Sequence, residues 1–310
     1  MNTSTPQCAF IGLGAMGIHM AKNIHNHLVQ SGHPPLIVYN RTRARSESLA
    51  SEVPGIQIAD SLEQVAQKAN VIFTCLLNDA AVTQVITDLL AAGVKEDAII
   101  VEQSTIAPNI TKDLAAQVKK ESKAHFIACP IMGPPLKAAA AQLIVLAAGP
   151  QNVRNKVLPL LVPAIGPKAI ELGDDPTQAL HMKLTGNFFV TSLVEMLGEG
   201  MTLGQASGVG QDKVKELLDA LFPGTLLVQY ADRMLRNTYK DQVFFPLSSA
   251  RKDATHIKNL GDSVNAKLPI TDIFLNHLNS VQESEGDLDI SGVIVASRKA
   301  AGLNEDGSKP

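Results

Sequence analysis

A glycine-rich turn near the amino-terminal end limits what this chain can fold into more than any other feature. The apolar run Cys8–Ile11 leads into Gly12-Leu13-Gly14-Ala15-Met16-Gly17, and a helical pattern follows it. In a G-x-G-x-x-G turn the first glycine permits the tight turn, the second lets the backbone approach a pyrophosphate, and the third lets the helix pack on the strand. Unpaired N–H groups and the helix dipole attract the anion. We therefore predict that residues 12–17 bind a dinucleotide.

The residues after the second expected strand favour a cofactor with an additional phosphate. The apolar run Leu36–Tyr39 ends in Asn40-Arg41-Thr42, and two further arginines follow within three residues. An acidic side chain in this region holds the ribose 2′-hydroxyl of NAD, whereas an arginine suits the 2′-phosphate of NADP. Arg41 can pair with that phosphate, and Asn40 and Thr42 can donate hydrogen bonds to it. We expect NADP rather than NAD; the alternative is a solvated basic turn that opens a surface helix.

Strands and helices alternate through the first part of the chain, which predicts a Rossmann-like α/β domain. Expected strands lie near residues 71–76, 98–101, 125–131, 143–147 and 169–172. We expect a doubly wound parallel sheet with antiparallel additions at its later edge. Ligands of such sheets lie at the carboxyl ends of the strands, where Leu77-Asn78 and Ser104-Thr105 fall. Leu77, Asn78 and Thr105 are therefore expected to contact the cofactor.

The pattern changes after Gly173-Asp174-Asp175-Pro176, and from there on it is almost wholly helical. The first helix, near residues 178–205, is longer than most helices in globular proteins. A chain of 310 residues is long enough for two substantial cores. We predict an NADP-binding Rossmann-like domain over residues 1–173 and an all-α domain over residues 174–310, joined by this long helix.

Composition excludes several classes of function. The net charge of −3, three tyrosines and no tryptophan argue against a nucleic-acid-binding surface. Cys8, Cys75 and Cys129 are odd in number and lack the spacing of metal ligands, so we predict buried thiols in a reducing compartment and no metal site. The alternative for Cys129 is a catalytic role. With no evident targeting or membrane segment, a cytoplasmic location without membrane association is expected.

Several motifs in order give a more specific indication, because together they resemble the β-hydroxyacid dehydrogenase family. This family includes relatives of 3-hydroxyisobutyrate and 6-phosphogluconate dehydrogenases. The resemblance runs from Phe10 to about Asp253 and rests on five motifs. These are the glycine motif continued to Asn23, Asn40-Arg41-Thr42, Ser104-Thr105-Ile106-Ala107-Pro108, Lys183 with Asn187, and Lys252-Asp253. It implies an oxidoreductase that acts on a small hydroxy acid or its carbonyl counterpart. It also implies a homodimer or homotetramer, since relatives pair through their helical domains.

The resemblance also implies roles for individual residues. Lys183 corresponds to the family's catalytic lysine and Asn187 to its substrate-side partner, while Lys252 and Thr105 correspond to residues beside the cofactor. The chemistry agrees, since an ammonium can protonate the alkoxide formed when a carbonyl is reduced, and the neutral amine accepts that proton in reverse. Residues four apart share one face of a helix. Taken alone, Lys183 would more often be an ordinary surface lysine.

One segment departs from the family pattern. Where relatives have Asp-Ala-Pro-Val-Ser-Gly-Gly, this chain has Ala128-Cys129-Pro130-Ile131-Met132-Gly133-Pro134-Pro135. The positions of Met132, Gly133 and Pro134 correspond to a cradle for the substrate carboxylate, yet Met132 has no hydroxyl and Pro134 has no backbone N–H. We expect a larger or more apolar substrate, or a carboxylate anchored elsewhere, with Lys137 as one candidate. The alternative is a neutral exchange in a loop that keeps its path.

Three functions follow from the sequence. The leading one is an NADP-dependent oxidoreductase that interconverts a β-hydroxy acid, or a related alcohol, and its aldehyde or keto form. An imine reductase is the second, although such relatives commonly replace the lysine that stands here at Lys183. The third is a non-enzymatic NADP-binding module similar to the dehydrogenase-like domain of a chromatin reader, which also lacks that lysine.

Overall fold

The computed structural model describes residues 5–309, and the chain divides into two compact units within one long helix, after Lys183. The first unit contains a six-stranded parallel sheet in the order β3-β2-β1-β4-β5-β6. The strands are β1 Cys8–Ile11, β2 Ile37–Tyr39, β3 Gln57–Ile58, β4 Val71–Thr74, β5 Ile99–Glu102 and β6 His125–Ala128. Helices alternate with them: α1 Gly17–Gln30, α2 Arg43–Glu52, α3 Leu62–Lys68, α4 Asp79–Ala91 and α5 Pro108–Glu121. The predicted doubly wound sheet is confirmed.

Both faces of this sheet are covered, which explains its apolar strands. Residues of β5 alternate between two core clusters, with Ile99 and Val101 in one and Ile100 in the other. The rings of Phe10 on β1 and Phe73 on β4 stack with centroids 6.2 Å apart. Strands buried on both faces have continuous apolar runs rather than alternating ones. The order of the strands reverses between β1 and β4, so their carboxyl ends form the crevice where such sheets bind ligands.

A second, three-stranded sheet replaces the additions expected at the later edge. It consists of β7 Ile131–Met132, β8 Ile144–Ala147 and β9 Lys168–Glu171, with β7 antiparallel and β9 parallel to β8. The predicted single strand over residues 125–131 is therefore wrong, because Cys129-Pro130 separates β6 from β7. Pro130 has no N–H to donate to a ladder, and its carbonyl accepts from the Leu146 N–H at 2.9 Å. Helices α6 Pro135–Ala139 and α7 Gln151–Leu161 lie between these strands along the chain.

A buried arginine fixes the turn that leads into the long helix α8, Thr177–Ala206. The guanidinium of Arg154 pairs with Glu171 at 2.9 Å and with Asp174 at 3.0 Å, and it donates to the Gly173 carbonyl at 2.6 Å. The first turns of α8 then pack with the first unit, since Ala179 and Leu180 belong to a core cluster that includes residues of β5 and α5. For this reason the contacts divide the chain after residue 183 rather than at the loop after 173.

The second unit is helical. It contains the rest of α8 and α9 Gln211–Leu221, α10 Leu226–Leu235, α11 Leu247–Ser263, α12 Pro269–Glu285, a 3₁₀ turn at Ile290–Val293, and α13 Ile294–Ala300. Its core includes Tyr239, Phe274 and Leu278. The buried Arg298 donates to the side-chain oxygens of Asn237 and Gln211 at 2.7 Å each. Among residues 5–309, none of the helices is both long and apolar enough to cross a membrane.

Candidate active site

The glycine turn has the geometry that its sequence predicts. Gly12 has a φ of +100°, and a Cβ there would lie 2.2 Å from the Cys75 carbonyl oxygen. A Cβ on Gly17 would lie 1.9 Å from the Gly12 carbonyl oxygen, so β1 and α1 approach each other too closely for any side chain at this position. By contrast, a Cβ on Gly14 would meet no atom within 4 Å. The first and third glycines are thus required by packing, while the second leaves open space.

Unpaired donors surround that open space. Within the part of the chain that the structure describes, the N–H groups of Gly14, Ala15 and Met16 have no backbone acceptor. No acidic side chain lies in the first turn of α1, so nothing there neutralises the positive end of the helix dipole. Orphaned N–H groups at a helix start together with a glycine that leaves room for a ligand fit the pyrophosphate of a dinucleotide. The residues present therefore match the requirements of NAD(P).

The basic segment after β2 is less positive than its sequence suggests. Arg43 forms ion pairs with Glu47 at 2.9 Å and with Asp60, and the neighbouring guanidinium lowers the pKa of the Asp60 carboxyl. Arg45 donates to the Leu13 carbonyl at 3.2 Å. Arg41 is exposed, and among residues 5–309 it forms no ion pair. The pairing of Arg43 therefore leaves the charges of Arg41 and Arg45 for a phosphate, and Arg45 is held at the Leu13 carbonyl.

Asn40 supports the glycine turn in a way that the sequence did not predict. Its side-chain oxygen accepts from the Leu13 N–H at 2.9 Å, and its amide group donates to the Thr42 carbonyl at 3.0 Å. Both polar ends of this side chain are engaged within the protein, although it was expected to donate to the cofactor. Asn40 therefore fixes the turn in place, and the second N–H of its amide group has no partner among residues 5–309.

Two loops at the carboxyl ends of β4 and β5 are tied together. The Ser104 hydroxyl oxygen accepts from the Leu76 N–H at 2.8 Å, and the Ser104 N–H donates to the buried Glu102 carboxylate at 2.8 Å. Leu77 is 73% exposed, and Thr105 is partly buried. The side-chain oxygen of Asn78 caps α4 by accepting from the Ala81 N–H at 2.9 Å. Of the residues expected to contact the cofactor in these loops, Leu77 is exposed, Thr105 is partly buried, and the side-chain oxygen of Asn78 is used in the cap.

Lys183 contacts a residue from the segment that departs from the family pattern. Its amine lies 3.4 Å from the Met132 sulfur, and the lysine as a whole is only 8% exposed. A thioether is a weak acceptor that holds an ammonium without neutralising it. The fold thus brings together two residues that are 51 positions apart, a lysine of α8 and the first residue of the segment 132–138, which we call the proposed substrate loop.

The loop after Met132 has a defined path. Gly133 has a φ of +136°, and a Cβ there would lie 2.8 Å from a Leu143 methyl carbon, so glycine is required. Gly133 and Pro134 are exposed. Lys137, the candidate carboxylate anchor, is exposed and donates to the side-chain oxygen of Gln142 at 2.6 Å. In this segment Met132 has no side-chain hydroxyl and Pro134 has no backbone N–H.

A buried polar group in the second unit contains the other expected site residues. The Asn187 amide donates to the Asp253 carboxylate at 2.6 Å, and Lys252 pairs with the same carboxylate at 3.2 Å. Asn187 is 6% and Asp253 4% exposed. Asn187 follows Lys183 by four residues on α8, hence by about one turn. The sequence analysis gave no role to Asp253, although the motif Lys252-Asp253 contains it. Its contacts with Asn187 and Lys252 are visible only in the fold.

The thiols and possible metal ligands show no site. Cys129 is fully buried, and burial raises the pKa of its thiol well above its ordinary value, as is typical of a structural rather than a reactive cysteine. Burial likewise raises the pKa of Cys8 to about 12. Over residues 5–309, no three His, Cys, Asp or Glu side chains are grouped so that they could hold a metal ion.

Comparison with known proteins decides the family. Residues 7–173 match the family model described as the NAD binding domain of 6-phosphogluconate dehydrogenase, which is more than half of the chain. The chain belongs to this family. As expected for a member, it is an NAD(P)-binding oxidoreductase of the hydroxyacid dehydrogenase type, a class whose members act on CH–OH groups.

Individual relatives agree with the family. An uncharacterized oxidoreductase of Bacillus subtilis, YfjR, is 31% identical over 92% of this chain and 98% of its own length. The NADH-dependent oxidoreductase ucdB of Aspergillus ustus is 28% identical over 93% of this chain and 98% of its own. Among solved structures, the 3-hydroxyisobutyrate dehydrogenase of Mycobacterium tuberculosis with L-serine matches with a TM-score of 0.80 at 21% identity. It covers 94% of this chain and 98% of its own. The likeness to that dehydrogenase shows the fold, with a Rossmann-like unit followed by helices.

Proposed function

We propose that this family member is an NADP-dependent oxidoreductase that interconverts a β-hydroxy acid, or a related alcohol, and its aldehyde or keto form. The observation that supports this most directly is the nearly buried amine of Lys183 against the Met132 sulfur. A lysine with so little exposure to water is uncommon unless a specific interaction or function retains it.

The proposed chemistry assigns the proton to Lys183. Bound NADPH supplies a hydride to the carbonyl carbon, and NADP accepts one in the opposite direction. The charge that develops on the substrate oxygen needs a proton, which the Lys183 ammonium donates; in oxidation the neutral amine takes the hydroxyl proton. Asn187, held by Asp253, is proposed to orient the substrate oxygen, and Lys252 to lie beside the nicotinamide.

The proposed preference for NADP rests on Arg41. Only NADPH has a 2′-phosphate. Arg41 forms no ion pair among residues 5–309, whereas Arg43 is paired with Glu47 and Asp60 and Arg45 donates to the Leu13 carbonyl. The pyrophosphate is proposed to lie at the N–H groups of Gly14, Ala15 and Met16. The proposed cofactor site is completed by Leu13, Asn40, Thr42, Leu77, Asn78 and Thr105.

The proposed substrate is larger or more apolar than the smallest acids of the class. Met132 offers an adaptable apolar surface, Pro134 offers no N–H donor, and Lys137 is engaged by Gln142. Hydrogen bonds to a charged group contribute roughly 1.5–3 kcal/mol each. Without two of them, a small carboxylate loses the interactions that compensate for its few apolar contacts.

The proposal extends to assembly as a homodimer or homotetramer. Phe189, Met196 and Leu203 recur every seven residues on α8 and are 66%, 52% and 70% exposed. A heptad repeat forms one stripe along a helix, which a second copy can cover with the same stripe.

The test is turnover by the Lys183→Ala variant across a panel of aldehydes, keto acids and imines with NADPH and NADH. We expect kcat with the best carbonyl substrate to fall by a factor of roughly 10² or more while NADPH affinity stays intact, because a proton donor is lost. Lys156→Ala, an exposed lysine of α7, is the matched control. Near-normal turnover would remove Lys183 from the mechanism, and turnover of imines alone would replace the proposed reaction with imine reduction.

A further inference from the structure

One hydrogen bond connects the cofactor-binding helix to the proposed substrate loop. Asn23 lies on α1, whose first turn follows the glycine motif, and its amide donates to the Ala138 carbonyl at 2.8 Å. The two residues are 115 positions apart. Ala138 is fully buried and lies in the same core cluster as Met20 and Ile24 of α1, so α6 is packed against α1 at this point.

Helix α6 is short and partly exposed. It is only five residues long, and Leu136 on it is 64% exposed. An isolated helix of this length is unstable, so its position depends on tertiary contacts. The Ala138 methyl group and the Asn23 hydrogen bond provide such contacts on the side of α1.

The position of α6 sets that of the substrate loop. The Pro134 carbonyl accepts from the N–H groups of Lys137 at 2.9 Å and of Ala138 at 3.1 Å. Pro134 follows Met132 by two residues, and Met132 touches the amine of Lys183. A series of contacts therefore runs from α1 through Asn23 and α6 to the residue that lies against Lys183.

We propose that Asn23 is a positioning residue for the substrate loop. It holds residues 132–138 at a fixed distance from the helix that binds the cofactor phosphates, and it thereby sets where Met132 meets Lys183 and the substrate. The expected effect on turnover rests on the proposed function. The hydrogen bond from Asn23 to Ala138 and its effect on the position of the loop do not depend on that function.

Two variants separate the hydrogen bond from simple packing. Asn23→Ala removes the donor, whereas Asn23→Asp keeps the size of the side chain and places an oxygen against the Ala138 carbonyl oxygen. We expect kcat/KM for the best carbonyl substrate to fall roughly threefold to tenfold in Asn23→Ala and at least as much in Asn23→Asp. Most of the loss should appear in KM, and the dissociation constant of NADPH should change less than twofold. Asn26→Ala, an exposed asparagine on the same helix, is the control.

Hydrogen exchange measured by mass spectrometry gives a readout that needs no substrate. Peptides covering residues 133–142 should exchange faster in both Asn23 variants than in Asn26→Ala. Unchanged exchange in those peptides would overturn the proposal, as would wild-type kinetics in Asn23→Asp or a loss of NADPH affinity equal to the loss in kcat/KM. If the wild-type protein reduces no carbonyl compound, the proposed function fails, and the exchange result still decides whether Asn23 holds the loop.

Discussion

Substitution by alanine should have opposite effects at two glycines of the turn: at Gly14 it should weaken cofactor binding, and at Gly17 it should reduce stability. In Gly14→Ala the new methyl group meets no protein atom within 4 Å, and Gly14 is not among the glycines with positive φ. The free energy of unfolding should therefore change by less than about 0.5 kcal/mol. The methyl group would, however, fill the space that we assign to the pyrophosphate.

The loss of cofactor affinity can be estimated from the unpaired donors. Among residues 5–309, no backbone acceptor faces the N–H groups of Gly14, Ala15 and Met16. If the methyl group prevents two of them from reaching the pyrophosphate, at roughly 1.5 kcal/mol or more each, the dissociation constant of NADPH rises by about two orders of magnitude.

The matched control is Gly17→Ala, whose methyl group would lie 1.9 Å from the Gly12 carbonyl oxygen. Because α1 must shift away from β1 to accept it, this variant should lose roughly 1–3 kcal/mol of stability without ligand. At about 2–4 °C per kcal/mol, its melting temperature should fall by several degrees.

Thermal shift with and without NADPH distinguishes the two variants. At a ligand concentration of 100 times Kd the wild-type protein gains about 2.7 kcal/mol, or roughly 5–10 °C. Gly14→Ala should melt at the wild-type temperature without ligand and show almost no shift with it. A Gly14→Ala variant that binds NADPH as tightly as the wild-type protein would refute the placement of the pyrophosphate over this residue.

Two further predictions concern specificity. Arg41→Asp should weaken the binding of NADPH at least tenfold more than that of NADH in fluorescence titrations, because only NADPH has the 2′-phosphate. The control, Arg43→Ala, should affect the binding of both cofactors alike. An equal loss of affinity for both cofactors in Arg41→Asp would show that Arg41 has only a structural role. Met132→Ser should raise kcat/KM for small oxo acids roughly tenfold or more by restoring one donor to a charged group. A wild-type protein that already prefers glyoxylate or methylmalonate semialdehyde over larger aldehydes would contradict the substrate proposal.

Periodic patterns made most of the fold predictable. The central strands are continuous apolar runs and α8 is a long uninterrupted helix, so their bounds differ from the predicted ones by only a few residues. The two-residue strand Gln57–Ile58 has no pattern of its own and was not predicted. Residues 125–131 form one apolar run and were predicted as one strand, although the chain passes from one sheet to the other at Pro130. An apolar pattern does not show which neighbouring strand a segment pairs with.

The candidate site was predictable where it depends on local motifs and not where it depends on tertiary partners. The glycine turn could be interpreted from sequence because its steric requirements lie within six residues. The pairing of Arg43 with Asp60, of Asn187 with Asp253, and of Asn23 with Ala138 could not, because the partners are 17, 66 and 115 positions apart. No spacing rule connects such positions in a single sequence.

The break at Pro130 places the nucleotide-binding turn and the proposed substrate loop on two different sheets of the first unit. The nucleotide-binding turn follows a strand of the six-stranded sheet. Met132 lies on β7, which belongs to the separate three-stranded sheet. Exchanges at residues 132–134 therefore alter no backbone pairing of the large sheet. We therefore expect evolution to have altered the proposed substrate contacts of β7 while the strands beneath the coenzyme stayed unchanged.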